Sequence, residues 1–399
     1  MKKISRILFL NQMAGPLFRE LAIDLSEICL EDSILYTGHP DTLKKALNDN
    51  HKLKITSAAS YNTKSNLSRL WSWSVYSFFA WLKVILAPRG TLIFLVSNPP
   101  LLAPLVYITC KIKKLPYIVL IYDMHPDTLV NFGVLSNGSN LVRIWRYLNR
   151  LVWENSAAVF TIGNVMADKL STQFNYKKTQ LGYIGVVPAW ADTDKIKPIK
   201  KTKNPLAQEY RQENCTTILY SGNMGKSHDI TSILGAAKLL RANNKIKFLF
   251  FGAGDEWLPA FEFVSNENLE NVQILPFQPE SKLPYTMALG DISIVSLDKG
   301  AEGLMVPSKM YYYMAAGSAI IGICEGKNDV QDTIKLADCG KVVSPESEHA
   351  LAKTILHLSS DLKELERLKV NARNASTSFF SRKSCTEKFR AFILSLNFE

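Results

Sequence analysis

Short apolar runs rich in β-branched residues alternate along this chain with longer stretches whose apolar positions recur every three or four residues. The first pattern predicts strands and the second helices, so the chain reads as repeated βα units. In the first half, strands are expected at 4–10, 33–36, 91–96, 117–121, 157–160 and 180–184. In the second half they are expected at 216–220, 246–251, 272–275, 292–295, 319–323 and 340–343. Several of these runs are hydrophobic almost throughout, as parallel strands covered on both faces are.

Two stretches resemble membrane segments. Residues 91–110 carry no charge, but Asn98-Pro99-Pro100 and Pro104 interrupt them, which fits a strand followed by a proline-started helix. Residues 70–82 are also uncharged and hold Trp71, Trp73 and Trp81 with a Phe78-Phe79 pair between Arg69 and Lys83. Thirteen residues are too few to span a bilayer. They suit either a helix lying at a bilayer interface or a helix packed on a sheet. The opening run Ile7-Leu8-Phe9-Leu10 follows basic residues as a secretion signal does, but it stops at Asn11 and Gln12, so a first strand is expected.

A chain of 399 residues is long for one core and suits two domains. Between the halves, residues 192–205 are rich in charge and proline and poor in apolar side chains, the composition of a linker. Two doubly wound domains facing each other across a cleft are expected, one over 1–186 and one over 187–379. A terminal helix within 380–399 is expected to return to the first domain. Ligands of open parallel sheets bind beyond the strand C-termini.

Net charge is unevenly placed. Residues 1–186 hold 21 Lys and Arg against 11 Asp and Glu, whereas residues 187–399 hold 26 against 25. The first half therefore suits an anionic partner, and the Trp-rich segment favours an anionic membrane surface over nucleic acid. No recognition helix or aromatic RNA motif accompanies the basic residues. The six cysteines lie far apart, as buried thiols of a reducing cytosol do, and no metal-ligand spacing occurs.

The chemistry concentrates in Glu302-Gly303-Leu304-Met305-Val306-Pro307-Ser308-Lys309 and the helical run 310–316 that Gly317 ends. A proline in the first turn and a glycine past the end bracket a short helix, whose free N–H groups favour phosphate. A lysine in a first turn opposes the helix dipole, which makes sense if Lys309 faces an anion.

The stretch 302–321 resembles the donor segment of family-4 glycosyltransferases, in the bacterial polysaccharide branch that reads E-G-x-x-V-P-S-K before a helix ending A-A-G. The resemblance extends over most of the chain. Tyr220-Ser221-Gly222-Asn223-Met224-Gly225, then His228-Asp229, is similar to the glycine loop beneath the donor diphosphate, and Phe250-Phe251-Gly252-Ala253-Gly254 to the next strand and turn. Residues 272–277, ending in Phe277, are similar to the nucleotide-base loop. Asn98-Pro99-Pro100 and Tyr122-Asp123-Met124-His125-Pro126-Asp127 look like the branch's loops in the first domain.

This resemblance implies a GT-B fold, with an acceptor-binding first domain and a donor-binding second one. It implies a retaining glycosyltransferase that moves a hexosyl or N-acetylhexosaminyl unit from a nucleotide-diphosphate sugar, a UDP-sugar first of all. The implied acceptor is a lipid-linked glycan on polyprenyl diphosphate, used in surface polysaccharide or O-antigen synthesis at the cytoplasmic face of the membrane. No metal and no other cofactor is implied. Lys309, Asp123 and His125 would be catalytic. The donor would meet Gly222, Asn223, Gly225, Lys226, His228, Gly252, Gly254, Phe277, Glu302, Gly303, Val306, Pro307, Ser308 and Tyr312. Asn98, Asp127 and Gly15, in the turn after the first strand, would lie on the acceptor side.

Departures from the family pattern keep alternatives open. The glutamate that holds donor ribose falls on Tyr312, and the usual basic loop positions fall on Asn223 and His228. An epimerase of the same fold or a non-catalytic nucleotide-sugar-binding scaffold fits such changes. Asp123 and His125 also suit loop-capping roles, and Asp329 reads as a helix cap.

Overall fold

The computed structural model describes residues 4–44, 52–62, 65–100, 102–173, 184–225, 228–297 and 299–395. Its backbone divides into two compact units, Met1–Pro188 with the residues from Cys385 onward, and Ala189–Ser384.

The first unit holds a parallel sheet of seven strands among the described residues. These are β1 (Arg6–Leu10), β2 (Ser33–Thr37), β3 (Leu53–Ser57), β4 (Thr91–Val96), β5 (Tyr117–Ile121), β6 (Ala158–Thr161) and β7 (Ile184–Val186), in the order β3-β2-β1-β4-β5-β6-β7. Its helices are α1 (Pro16–Ser26), α2 (Pro40–Lys44), α3 (Asn66–Leu86), α4 (Leu102–Lys113), α5 (Asp127–Asn131), α6 (Asn140–Glu154) and α7 (Asn164–Ser171).

The central strands β4 and β5 are buried at every residue, as their unbroken apolar sequences require. Strand β3 has no counterpart in the sequence expectations. It lies at the sheet edge with only Leu53 buried, so its sequence lacks the continuous hydrophobicity of a central strand. Of the expected strand 180–184, only Ile184 falls within the described residues. The uncharged stretch 91–110 forms a strand and then a helix, as expected, and no helix among the described residues is long and apolar enough to cross a membrane.

The second unit holds β8 (Thr216–Asn223), β9 (Ile246–Ala253), β10 (Val272–Leu275), β11 (Ile292–Ser296), β12 (Ala319–Ile323) and β13 (Gly340–Val343), in the order β10-β9-β8-β11-β12-β13. Its helices are α8 (Pro205–Glu209), α9 (Ile230–Leu239), α10 (Trp257–Asn266), α11 (Leu283–Met287), α12 (Lys309–Ala315), α13 (Asp329–Ala337), α14 (Glu348–Ser360) and α15 (Leu362–Phe379). The last helix, α16 (Arg382–Ser395), sets Phe389 against Phe94 of β4 and Phe160 of β6, with centroids 6.0 and 4.5 Å apart. That aromatic packing seats α16 on the first sheet.

Strand order reverses between β1 and β4 in the first sheet and between β8 and β11 in the second. Loops beyond the strand C-termini part at such points and leave room for a ligand. The proline-rich stretch after Pro188 is pinned within the second unit. Ala191 bridges Ser381, and the Arg373 guanidinium donates to the Thr193, Ile196 and Ala315 carbonyls at 3.0, 2.9 and 2.7 Å.

Candidate active site

In the second unit, β8 and β9 run in register to their C-terminal ends, where Gly222 lies beside Gly252. A Cβ on Gly252 would stand 2.1 Å from the Gly222 carbonyl oxygen, so glycine lets these backbones meet. Gly222 has φ +143°, a conformation that side chains rarely take. The Asn223 side chain folds over the next turn, its Oδ1 2.7 Å from where a Gly254 Cβ would be.

Helix α12 is fastened to this strand end by two residues one turn apart. The Tyr313 hydroxyl accepts from the Ser221 N–H at 2.7 Å and donates to the Ser221 carbonyl at 2.9 Å. Four residues earlier, on the same side of the helix, Lys309 Nζ donates to the Tyr220 hydroxyl at 2.7 Å and lies 4.0 Å from that ring's centroid. The Tyr220 hydroxyl in turn donates to the Asn223 carbonyl at 2.8 Å. The lysine is thereby laid along the glycine loop, with Cε and Nζ 3.3 Å from the position of a Gly222 Cβ.

Burial lowers the Lys309 ammonium to about 7. The His228 ring sits across Tyr220 at 6.2 Å. Burial, then the Lys309 charge, push this imidazole down to about 3 against the pull of the Ser296 carbonyl, so it is neutral at pH 7. Its Nδ1 is buried without a hydrogen-bond partner among the described residues. A cation on the edge of ionisation and an unsatisfied imidazole thus share one glycine-rich loop. A lysine ammonium laid along loop glycines suits an anionic oxygen ligand.

The structure revises several expectations here. Helix α12 starts at Lys309, so Pro307 precedes the cap residue Ser308 and does not occupy the first turn; Ser308 is exposed and makes no side-chain cap bond. Tyr311 and Tyr313 are buried, whereas Tyr312 is half-buried between them on another side of the helix. Gly303 takes φ +67° in the loop before α12, with Glu302 half-buried and Val306 buried. Gly225 closes the glycine loop, with the Asn223 amide nitrogen 2.9 Å from where its Cβ would be, while Phe277 is exposed beyond β10. Lys226 lies outside the described residues. Asn328, not Asp329, caps α13 by accepting from the Gln331 N–H at 2.9 Å. Tyr220 and Tyr313 were not among the expected site residues, although the four-residue spacing of Tyr313 from Lys309 marks a shared helix face.

In the first unit, Asn98 and Asp123 follow the adjacent strands β4 and β5. The Asn98 Oδ1 is buried without a hydrogen-bond partner among the described residues. Burial raises the Asp123 carboxyl against the pull of His125, and burial lowers His125 against the pull of Asp123 and Asp127. His125 Nδ1 lies 2.5 Å from the Thr128 hydroxyl, and the His125 carbonyl accepts from Asn149 at 2.7 Å.

Asp127 is engaged within the fold. Its carboxylate accepts from Arg146 at 2.5 and 3.0 Å and from Gln173 at 3.1 Å, so it braces α5 against α6 and is not held out for a ligand. Gly15 has an ordinary φ of −72° at the start of α1. Only His39 comes within 4 Å of its absent Cβ, at 3.9 Å, so the fold does not require glycine there. No group of three or more metal-ligating side chains occurs among the described residues.

Residues 203–375 match the family model described as Glycosyl transferases group 1. The chain is 25% identical over 272 residues to a protein of Pseudomonas aeruginosa named "Probable glycosyltransferase WbjE", across 67% of this chain and 66% of that one. It is 24% identical over 304 residues to the Escherichia coli K12 protein named "Putative colanic acid biosynthesis glycosyl transferase WcaI", across 74% and 72%. The match thus spans just under two thirds of the WbjE chain.

Among solved structures, Anabaena HepE in complex with UDP-glucose superposes with a TM-score of 0.73 at 14% identity, over 98% of this chain and all of that one. WaaG, a glycosyltransferase involved in lipopolysaccharide biosynthesis, gives 0.70 at 14%, over 98% and 100%. With two parallel-sheet α/β domains, these likenesses give the chain the GT-B fold, and the matched domain supports a sugar-transfer role.

Proposed function

We propose that this chain is a retaining glycosyltransferase of the family-4 type. It moves a hexosyl or N-acetylhexosaminyl group from a nucleotide-diphosphate sugar to a glycan carried on polyprenyl diphosphate, in surface polysaccharide synthesis. The observation that carries the reading is Lys309 lying along the Gly222 loop, held there by Tyr220 beside the unsatisfied His228. UDP is the nucleotide put forward, because HepE is described with UDP and with UDP-glucose.

In this scheme the bond from the anomeric carbon to the diphosphate oxygen breaks, and a bond to the acceptor oxygen forms. The acceptor proton passes to the departing diphosphate. Negative charge grows on the leaving group, and the Lys309 ammonium stabilises it where it already stands. Arrival of the diphosphate returns Lys309 fully to its charged form. Gly222, Asn223 and Gly225 form the floor of the diphosphate site, with Glu302, Gly303 and Ser308 toward the sugar. Phe277 and Tyr312 lie toward base and ribose, and a tyrosine hydroxyl can serve ribose where the family uses a carboxylate. In the first unit, Asp123, His125 and Asn98 orient the acceptor hydroxyl. The scheme takes its positive charge from side chains, and no metal enters it.

A melting-point screen with nucleotide sugars tests the reading, because a ligand that binds only the folded chain raises its melting temperature. UDP-sugars are expected to raise it in the parent chain and not in Lys309→Ala. An equal rise in both would remove the diphosphate from this loop. Donor hydrolysis or epimerisation by the purified chain alone would favour an epimerase, and tight donor binding with no transfer to any acceptor a scaffold.

A further inference from the structure

Helix α3 of the Trp-rich segment has two apolar faces. One face, with Tyr76, Ala80 and Val84 fully buried, packs on the sheet, where Tyr76 stacks on Tyr36 at 5.3 Å. The opposite face carries Leu67, Trp71, Phe78 and Leu86 at helical spacing, with Leu67, Trp71 and Leu86 exposing 80%, 73% and 80% of their surface. A helix of this length presents that stripe over about 30 Å.

The neighbouring helices extend it. Helix α3 packs on α4 and α4 on α6, and Ile112 of α4 and Ile144 of α6 are also exposed. The layer is rigid. Trp81 Nε1 donates to the Thr109 hydroxyl at 2.8 Å, and Lys113 Nζ caps the end of α3 through the carbonyls of Ile85 and Ala87, the latter at 2.7 Å. Exposed apolar area of this extent on a monomer marks a contact surface.

Charge identifies what covers it. From residue 65 to 153 the chain has nine Lys and Arg and two acids, Asp123 and Asp127. Asp127 is spent on Arg146, and Asp123 is half-buried beyond β5. Helices α3 and α4 contain no acid at all, and the single acid of α6, Glu154, is paired with Arg150. Exposed Lys111 and Arg143 directly precede the exposed Ile112 and Ile144 in the chain, and exposed Lys114 lies just past the end of α4. Exposed tryptophan and phenylalanine on a layer whose unpaired charges are cations match the boundary between acyl chains and anionic headgroups.

We propose that the outer face of α3, α4 and α6 docks this protein on an anionic lipid bilayer, in the cell the cytoplasmic leaflet of the membrane. The stripe dips about 5–10 Å into the headgroup boundary, as surface-lying amphipathic helices do. This stands whether or not the sugar-transfer reading holds, because it rests on other residues and its test reads no activity.

The test floats the full chain with vesicles of phosphatidylcholine alone and of phosphatidylcholine with phosphatidylglycerol. Binding to the anionic vesicles is expected to exceed binding to the neutral ones and to weaken in high salt. The double change Trp71→Ser with Phe78→Ser should lower it about tenfold or more without moving the melting temperature, since both side chains face outward. The charge reversals Lys111→Glu with Arg143→Glu should remove the preference for phosphatidylglycerol. If the serine variant melts early, Trp71→Phe replaces it and should lose much of the fluorescence quenching by brominated phosphatidylglycerol. No flotation of the parent chain, equal flotation of parent and variants, or a parent dimer that the serine changes dissociate would each overturn the proposal.

Discussion

Lys309 Nζ donates to the Tyr220 hydroxyl at 2.7 Å, and this bond joins the first residue of α12 to the end of β8, 89 residues away in the chain. The hydroxyl in turn donates a hydrogen bond to the Asn223 carbonyl. Tyr220 therefore sets both the lysine and the glycine loop on which the lysine lies. Tyr220→Phe leaves the ring but removes both bonds. A stability loss of about 1–3 kcal/mol is expected, because Lys309 keeps its burial without its acceptor. Urea denaturation should show it, together with a smaller melting-point rise on adding UDP. An unchanged stability and an unchanged UDP response would make Tyr220 a packing residue only.

Nucleotide binding should depend on pH in a defined direction. In the free chain Lys309 has a pKa near 7, lowered by burial. A bound diphosphate raises it, so binding takes up a proton between the free and bound values. UDP affinity is expected to fall as pH rises from about 7 toward 9. Lys309→Arg should flatten that fall, since a guanidinium stays charged throughout. Calorimetric titration in two buffers of different ionisation heat measures the proton count directly. Proton release, or none, at pH 8 would separate Lys309 from the anion.

Three glycines make a graded series. Gly252→Ala places a Cβ 2.1 Å from a backbone oxygen that cannot move alone, so folding should fail or weaken severely. Gly222→Ala combines φ +143° with a lysine tip 3.3 Å away, and about 1–3 kcal/mol of destabilisation is expected with Lys309 displaced. Gly15→Ala should fall within about 0.5 kcal/mol of the parent. Thermal melts of the three variants check the order.

Asp123 and Asp127 should separate by phenotype although four residues apart. The Asp127 carboxylate holds Arg146 and Gln173, so Asp127→Ala is expected to lower the melting temperature. Asp123→Asn should keep the melting temperature and lose most transfer activity, measured as UDP release with a membrane extract as acceptor source. Full activity in Asp123→Asn would move the acceptor site elsewhere.

Hydrophobic periodicity alone determined most of this architecture. Runs such as Thr-Leu-Ile-Phe-Leu-Val at 91–96 are apolar on both faces, and only a strand inside a covered parallel sheet buries both. The motif around Pro307, Ser308 and Lys309 likewise singled out the lysine that the fold lays along the Gly222 loop. Strand β3 escaped notice because an edge strand with a single buried residue has no such pattern.

Tertiary structure decided the rest, since local sequence reports which face of an element is apolar but not which polar group it meets. Tyr313, and not Tyr312, reaches Ser221 because the rotation of α12 against β8 is set by packing across 92 residues. The same limit hid the engagement of Asp127 by Arg146 and the ordinary backbone of Gly15. It also left open whether the Trp-rich helix was buried or outward-facing. Its residues could state only that both faces were apolar, and the sheet beneath covers one of them.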